Sequence, residues 1–208
     1  RQGPVLMDLP DDLQRSEITP KNLKGFKPPK KVTKKNKFEK KFLEMIQKSK
    51  RPLIIVGHGI NLSNTKKELL RFIRKTGIPF APSWATVDLY SENEPNLVGT
   101  FGVAATRYGN FAVQKADLLI CIGTRLSYQL TGAKKEYFSP NSKKVIVEIE
   151  KVELENENGV TADIPINVCA KTFLNYINSK EIKTDDKEVK KWREWVVDLK
   201  QKYPICKK

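Results

Sequence analysis

Histidine occurs once in the 208 residues and cysteine three times, at Cys121, Cys169 and Cys206. No Cys-x-x-Cys occurs, which excludes a zinc ribbon, and the wide spacing argues against a disulfide framework. His58, the lone histidine, has no Ser/Asp partners or metal-ligand neighbours at a recognisable spacing; it reads as a solvent-facing loop residue. No apolar run approaches the length of a membrane span, and the first residues are no signal peptide. The cysteine usage suits a reducing compartment, so a cytoplasmic location is expected. The opening Arg1-Gln-Gly-Pro4 lacks methionine, which suggests a piece cut from a longer chain. What remains is ordinary for a globular domain: 39% hydrophobic residues can supply one sizeable core.

The net charge of +15 at first suggests a nucleic-acid partner. Its distribution argues otherwise. Between Lys21 and Arg51 there are 13 basic and 2 acidic residues, and between Lys180 and Lys208 there are 10 and 6. The rest of the chain is neutral. The excess therefore belongs to a connecting segment and a tail, where Lys dominates with little aromatic interleaving, and a solvated linker fits better than a base-stacking surface.

Periodicity gives an alternation of strands and helices. A short apolar strand, Val5–Met7, precedes a Pro/Lys/Gly-rich stretch, Leu23–Thr33. A helix follows over 37–48, with Phe38, Phe42, Leu43, Met45 and Ile46 along one stripe. The unalternating runs Leu53–Val56 and Leu118–Ile122 read as strands buried on both faces of a parallel sheet. Further strands are predicted at 78–81, 144–149 and 164–168. Helices are predicted at 65–75, capped by Ser63 or Asn64 and stopped by Gly77, and at 106–115, 170–178 and 185–203. Such alternation means βαβ units around a parallel sheet, with ligands expected in the crevice beyond the strands' carboxyl ends.

Six markers sharpen this reading: Val56-Gly-His-Gly-Ile60, Thr106-Arg-Tyr-Gly-Asn-Phe-Ala-Val113, Ala116-Asp117, Gly123-Thr-Arg125, Leu130-Thr-Gly132 and Asp163-Ile-Pro-Ile166. In this order and spacing they resemble the middle domain of thiamine-diphosphate-dependent enzymes of the acetolactate synthase type. The resemblance implies an α/β fold: a Rossmann-like three-layer domain with a mostly parallel, about six-stranded sheet, of the DHS-like NAD/FAD-binding type. It implies that residues 1–22 are the tail of a preceding pyrimidine-binding domain and 23–36 a basic linker. Residues 37–180 would be the central domain, and 181–208 a helix leading to a pyrophosphate-binding domain. On that reading Trp192, Trp195 and Tyr203 pack against a domain outside this sequence.

The resemblance also says what this chain should not do. The family's activating glutamate lies in the first domain, and its magnesium and diphosphate are held by a Gly-Asp-Gly…Asn motif in the third. No Gly-Asp-Gly occurs here. The expectation is a central structural domain, itself non-catalytic, with no catalytic or metal-binding residues and no cofactor of its own. The parent enzyme would use thiamine diphosphate and Mg on pyruvate or another 2-oxo acid. Its partners would be its other domains and, as a dimer or tetramer, its own copies, with no nucleic acid and no membrane; branched-chain amino acid biosynthesis is the pathway implied. The alternative reading is a free-standing nucleotide-binding Rossmann module.

Four residues are candidate nucleotide contacts: Gly57, Gly59, Gly123 and Arg125. Glycines at a strand end let backbone N–H groups approach a phosphate. The third glycine of the dinucleotide fingerprint is replaced by Leu62, however, and a tight strand-to-loop turn explains the same residues. Relatives that bind FAD usually continue Phe-Asp-Asp-Arg where this chain has Leu126-Ser-Tyr-Gln129, which argues against FAD. Glu148 and Glu150 flank Ile149 at a strand tip; a carboxylate there suits a ribose hydroxyl, but the alternation fits better with a strand emerging into solvent.

Overall fold

The computed structural model describes residues 4–27 and 39–205, and the chain divides into two compact units, residues 1–34 and 35–208. In the first unit, helix α1 (Asp11–Arg15) begins after Pro10 and has acids in its first turn and Arg15 in its last, as the helix dipole favours. The Val5–Met7 strand expected from the sequence is not present. These residues are exposed and bond to no ladder, because a strand exists only through a neighbour's backbone groups, and none pairs with it among the described residues. Phe38 and Cys206 lie outside the described residues.

The second unit holds five parallel strands: β1 (Pro52–Val56), β2 (Phe80–Pro82), β3 (Leu118–Ile122), β4 (Lys143–Val147) and β5 (Ile164–Ile166). Their order is β2-β1-β3-β4-β5, so the chain steps outward from β1 to β2 and then crosses back to continue on the other side. About six strands were expected and five are found among the described residues. Helix α2 (Glu39–Lys48) precedes β1. The helices α3 (Gly59–Leu62), α4 (Lys66–Thr76), α5 (Arg107–Lys115), α6 (Tyr128–Thr131), α7 (Lys151–Leu154), α8 (Ala170–Asn178) and α9 (Asp186–Lys202) follow in order.

The strands read as unbroken apolar runs because each face of the sheet has its own helical layer. Ile54, Val56, Ile120, Ile122, Val145 and Val147 face Phe42 and Ile46 of α2, Leu69 and Phe72 of α4, and Phe173 and Ile177 of α8. Their neighbours Leu53, Ile55, Leu119, Cys121 and Ile146 face Ala112 and Val113 of α5 and Trp192 and Val196 of α9. This is the expected three-layer α/β architecture.

The final helix departs from expectation. Trp192 is buried, and its indole N–H donates to the carbonyl of Pro52 at 3.0 Å. Trp195 stacks on it with ring centroids 4.9 Å apart, and Tyr203 meets Phe111 at 5.3 Å. Trp192 and Trp195 face this unit's own core, because α9 lays Trp192 and Val196 on the part of the second sheet face that α5 leaves uncovered. The capping of α4 differs as well. Residues 59–62 form a helical turn first, the Ser63 hydroxyl donates back to the Gly59 carbonyl, and Thr65 takes the N-cap position with no side-chain bond to the helix.

Two aspartates splice the amino-terminal edge. The Asp117 carboxylate, just before β3, accepts from the Ser49 hydroxyl and from the backbone N–H groups of Lys50 and Arg51. Asp163, just before β5, accepts from Lys143 Nζ and the Lys144 N–H, each at 2.9 Å. Burial pushes the Asp163 carboxyl up, but these bonds from Lys143 and Lys144 outweigh it and hold the group below its ordinary value.

Candidate functional site

The strand order places the topological switch point between β1 and β3, where ligands are expected beyond the carboxyl ends. Val56 pairs with Ile122, so the loops that start at Gly57 and Gly123 leave the sheet side by side. They fill the crevice themselves. The N–H of Gly57 donates to Ile122, that of Gly59 to Gly123, and that of Gly123 to Val147, at 3.0, 2.9 and 2.9 Å. A β-carbon on Gly57 would lie 2.3 Å from the Gly123 carbonyl oxygen, and one on Gly59 would lie 2.7 Å from the Gly123 Cα. Glycine is needed here because two backbones touch. All three backbone donors are spent, two on the ends of β3 and β4 and one on the facing loop, and do not face a phosphate. His58 is exposed, and its Nδ1 lies 3.2 Å from the Ala85 carbonyl.

The second marker builds the neighbouring loop. Thr106 caps α5, accepting from the Gly109 N–H, and its hydroxyl donates to the Thr100 carbonyl. Asn110, one turn on, grips Gly102 at both ends: its Oδ1 accepts from the N–H at 2.8 Å and its Nδ2 donates to the carbonyl at 2.9 Å. Gly109 lies against the Thr100 carbonyl, which a β-carbon would meet at 1.9 Å. Val103 N–H then donates to the Gln129 carbonyl, tying this loop to α6. The sequence offered Thr106 and Asn110 only as parts of a marker; their cap and latch roles follow from the turn they close.

With the switch point closed, the open concavity lies one strand along, between the carboxyl ends of β3 and β4. It is a cleft of about 290 Å³, with Arg125, Leu126, Tyr128, Glu148, Glu153 and Asn158 among its walls. Leu126 adopts a left-handed backbone (φ +50°) to turn the loop around the cleft. Arg125, half in solvent, binds Glu153 with Nε at 2.6 Å from Oε1. Glu148 does not emerge into solvent as expected. It is buried, and its Oε1 accepts from the N–H groups of Ile149 and Glu150 at 2.9 and 3.1 Å. The strand stops at Val147, and the chain folds back over this carboxylate. Of the four predicted contacts, the structure brings Arg125 to the cleft and uses the three glycines to close the crevice beside it. Two carboxylates against one guanidinium give the lining a net negative charge, which suits hydroxyl groups and repels a diphosphate. Among the described residues no cluster of His, Cys, Asp or Glu could hold a metal ion.

Residues 40–177, which span the sheet and the helices packed on it except α9, match the family described as thiamine pyrophosphate enzyme, central domain. The chain belongs to this family. Across 97% of its length it is 34% identical to a probable acetolactate synthase large subunit of Methanocaldococcus jannaschii, and it covers 34% of that protein. It is 28% identical to the acetolactate synthase large subunit of Corynebacterium glutamicum over 98% of the chain and 33% of that protein. With acetolactate synthase 2, chloroplastic, of Zea mays it shares 33% identity over 84% of the chain and 27% of the relative. The chain therefore spans about a third of the curated relatives it matches. For a thiamine pyrophosphate enzyme central domain, five of the six markers supply clips and close contacts that hold the sheet's loops in place.

Proposed function

We propose that this chain is the central scaffold of an acetolactate synthase-like enzyme. That enzyme would decarboxylate pyruvate or another 2-oxo acid with thiamine diphosphate and Mg and join the resulting carbanion to an acceptor. The domain would space the two cofactor-holding domains, contribute to contacts in a dimer or tetramer, and perform no turnover by itself. The observation that carries this reading is the use made of the markers. Gly57, Gly59, Gly123, Thr106, Asn110, Asp117 and Asp163 all bind backbone or approach it, and none of them is left facing a substrate. A cytoplasmic location is part of the proposal.

The same geometry argues against FAD and against a free-standing nucleotide module. A flavin diphosphate at the switch point would need backbone donors that Gly57, Gly59 and Gly123 have already given away. In the adjoining cleft it would meet Glu148 and Glu153. Arg125 remains the one proposed ligand contact of the four, and its partner would be a neutral, hydroxyl-rich group. The test is pyruvate consumption by the purified chain with added thiamine diphosphate and Mg, together with its absorption spectrum. No turnover and no flavin band are expected. Turnover that disappears when thiamine is withheld would overturn the scaffold reading, and a yellow preparation would overturn the rejection of FAD.

A further inference from the structure

The amino-terminal edge of the sheet, opposite the glycine loops, carries a groove of about 540 Å³. That volume lies within the roughly 300–1,000 Å³ of small-molecule sites. Its floor is the buried indole of Trp192, with Trp195 stacked on it at an interplanar angle of 13° and half-exposed. Lys50 and Arg51, immediately before β1, line the groove together with Lys115 at the end of α5 and Lys191 on α9. All four cations are exposed.

The elements bring these groups together for structural reasons. Trp192 donates to Pro52, which docks α9 beside the start of β1. Arg51 Nε donates to the Lys115 carbonyl at 2.7 Å, which fixes the plane of the guanidinium and leaves its two terminal nitrogens for another partner. Of the acids here, Glu188 also lines the groove, and its Oε1 pairs with Lys191 Nζ at 2.7 Å. Asp117 is filled by Ser49 and the amides of Lys50 and Arg51. Among the described residues the ammonium groups of Lys50 and Lys115 have no acidic partner.

The lining thus offers a flat aromatic platform and four cations against one carboxylate, Glu188. A ligand rich in anionic oxygen and bearing a planar ring meets both halves: phosphates match the guanidinium fork and point-charge ammonium groups, and a base matches the indole. We propose that this groove binds a nucleoside di- or triphosphate, with its base over Trp195 and its phosphates on Lys50, Arg51 and Lys115. The site is independent of the cleft between β3 and β4 and of any thiamine chemistry.

Tryptophan emission of the whole chain reads the site directly, because two of its three tryptophans lie in the groove and Trp84 does not. Titration with ATP at about 150 mM salt, where long-range steering is screened, should give saturable quenching. The double variant Lys50→Glu/Lys115→Glu should weaken binding about tenfold or more, and Arg125→Ala should leave it unchanged. Trp195→Leu should remove most of the quenching and weaken binding measured by calorimetry. Circular dichroism melts of the variants check that the fold is kept. Absence of saturable ATP binding would overturn the proposal. So would equal binding of inorganic triphosphate, which would leave the base without a role. Tighter binding of a single-stranded oligonucleotide than of ATP would make the groove a nucleic-acid surface instead. Loss of ATP binding in Arg125→Ala but not in the double lysine variant would move the site to the other edge.

Discussion

The Gly57 position has backbone on its far side: besides the Gly123 carbonyl, a β-carbon would lie 2.4 Å from the Thr124 Cα. Neither neighbour is the end of a flexible side chain, so Gly57→Ala must part the two loops. Overpacking of this kind costs about 1–3 kcal/mol, and urea unfolding of Gly57→Ala should show a loss of at least that size. An unchanged midpoint would mean that the loops are not held together as described. A second residue-scale effect lies on the sheet face covered by α9. Burial pushes the Cys121 thiol up to about 12, and burial lowers the Lys144 ammonium, whose Nζ donates to the Ser139 and Ser142 carbonyls. The two act on stability with opposite sign. An unfolded thiol ionises from about pH 8.5, before the folded one, so Cys121 contributes stability that is lost as pH rises through that region toward 12. Between the lowered folded value of Lys144 and its unfolded value of about 10.4, the unfolded chain holds more protons, and stability rises with pH. Relative to the parent chain, Cys121→Ala should be favoured on going from pH 7 to pH 10 and Lys144→Met disfavoured, as urea midpoints at the two pH values will show. Shifts of the same sign would contradict this assignment.

Among the elements, those with a full period or a full apolar run were legible from sequence. The strand 118–122 and the helix 170–178 match their predicted limits, and Gly77 ends α4 with the left-handed backbone expected of a stop. Four-residue turns such as α3, α6 and α7 are too short to show periodicity, and they went unread. Strand β2 begins two residues later than predicted and ends one later because its ladder, Ile54 to Phe80 through Val56 to Pro82, is fixed by β1 and not by its own apolar residues. The burial of Glu148 was illegible for a related reason: alternation fits a strand that continues, and the chain turns back instead. Helix α9 carried a readable stripe, but nothing in the stripe says which surface it covers. Because that surface is this unit's own sheet, Trp192→Ala should cost about 3–5 kcal/mol in urea unfolding. Val197→Ala on the same helix, at an exposed position, should stay within about 0.5 kcal/mol. Equal, small effects would mean that α9 does not belong to the core. At the start of α5, Thr106→Ala removes a cap and should cost about 1 kcal/mol; no change in midpoint would show that the cap bond is dispensable.

For the molecule as a whole, family and fold were legible because the markers act through backbone geometry, which a sequence pattern encodes directly. The location of a ligand was not, since the same glycines can cradle a phosphate or close a crevice, and only the spacing of two loops decides between them. The basic segment Lys21–Arg51 should bind polyanions without sequence preference at low salt. That binding should fall steeply as salt rises, because it rests on counterion release. A gel-shift series across salt concentrations checks this, and a salt-resistant, sequence-selective shift would contradict it. A different consequence follows from the place of β3. It is paired over five residues with β1 on one side and with β4 on the other, and all five of its residues are buried. Water reaches its amides only when both ladders and both helical layers open together. In hydrogen–deuterium exchange the Ile120 amide should therefore be among the last protons lost, at a rate that tracks the global unfolding free energy. The three-residue strands β2 and β5, at the two edges, should exchange through smaller openings of their own.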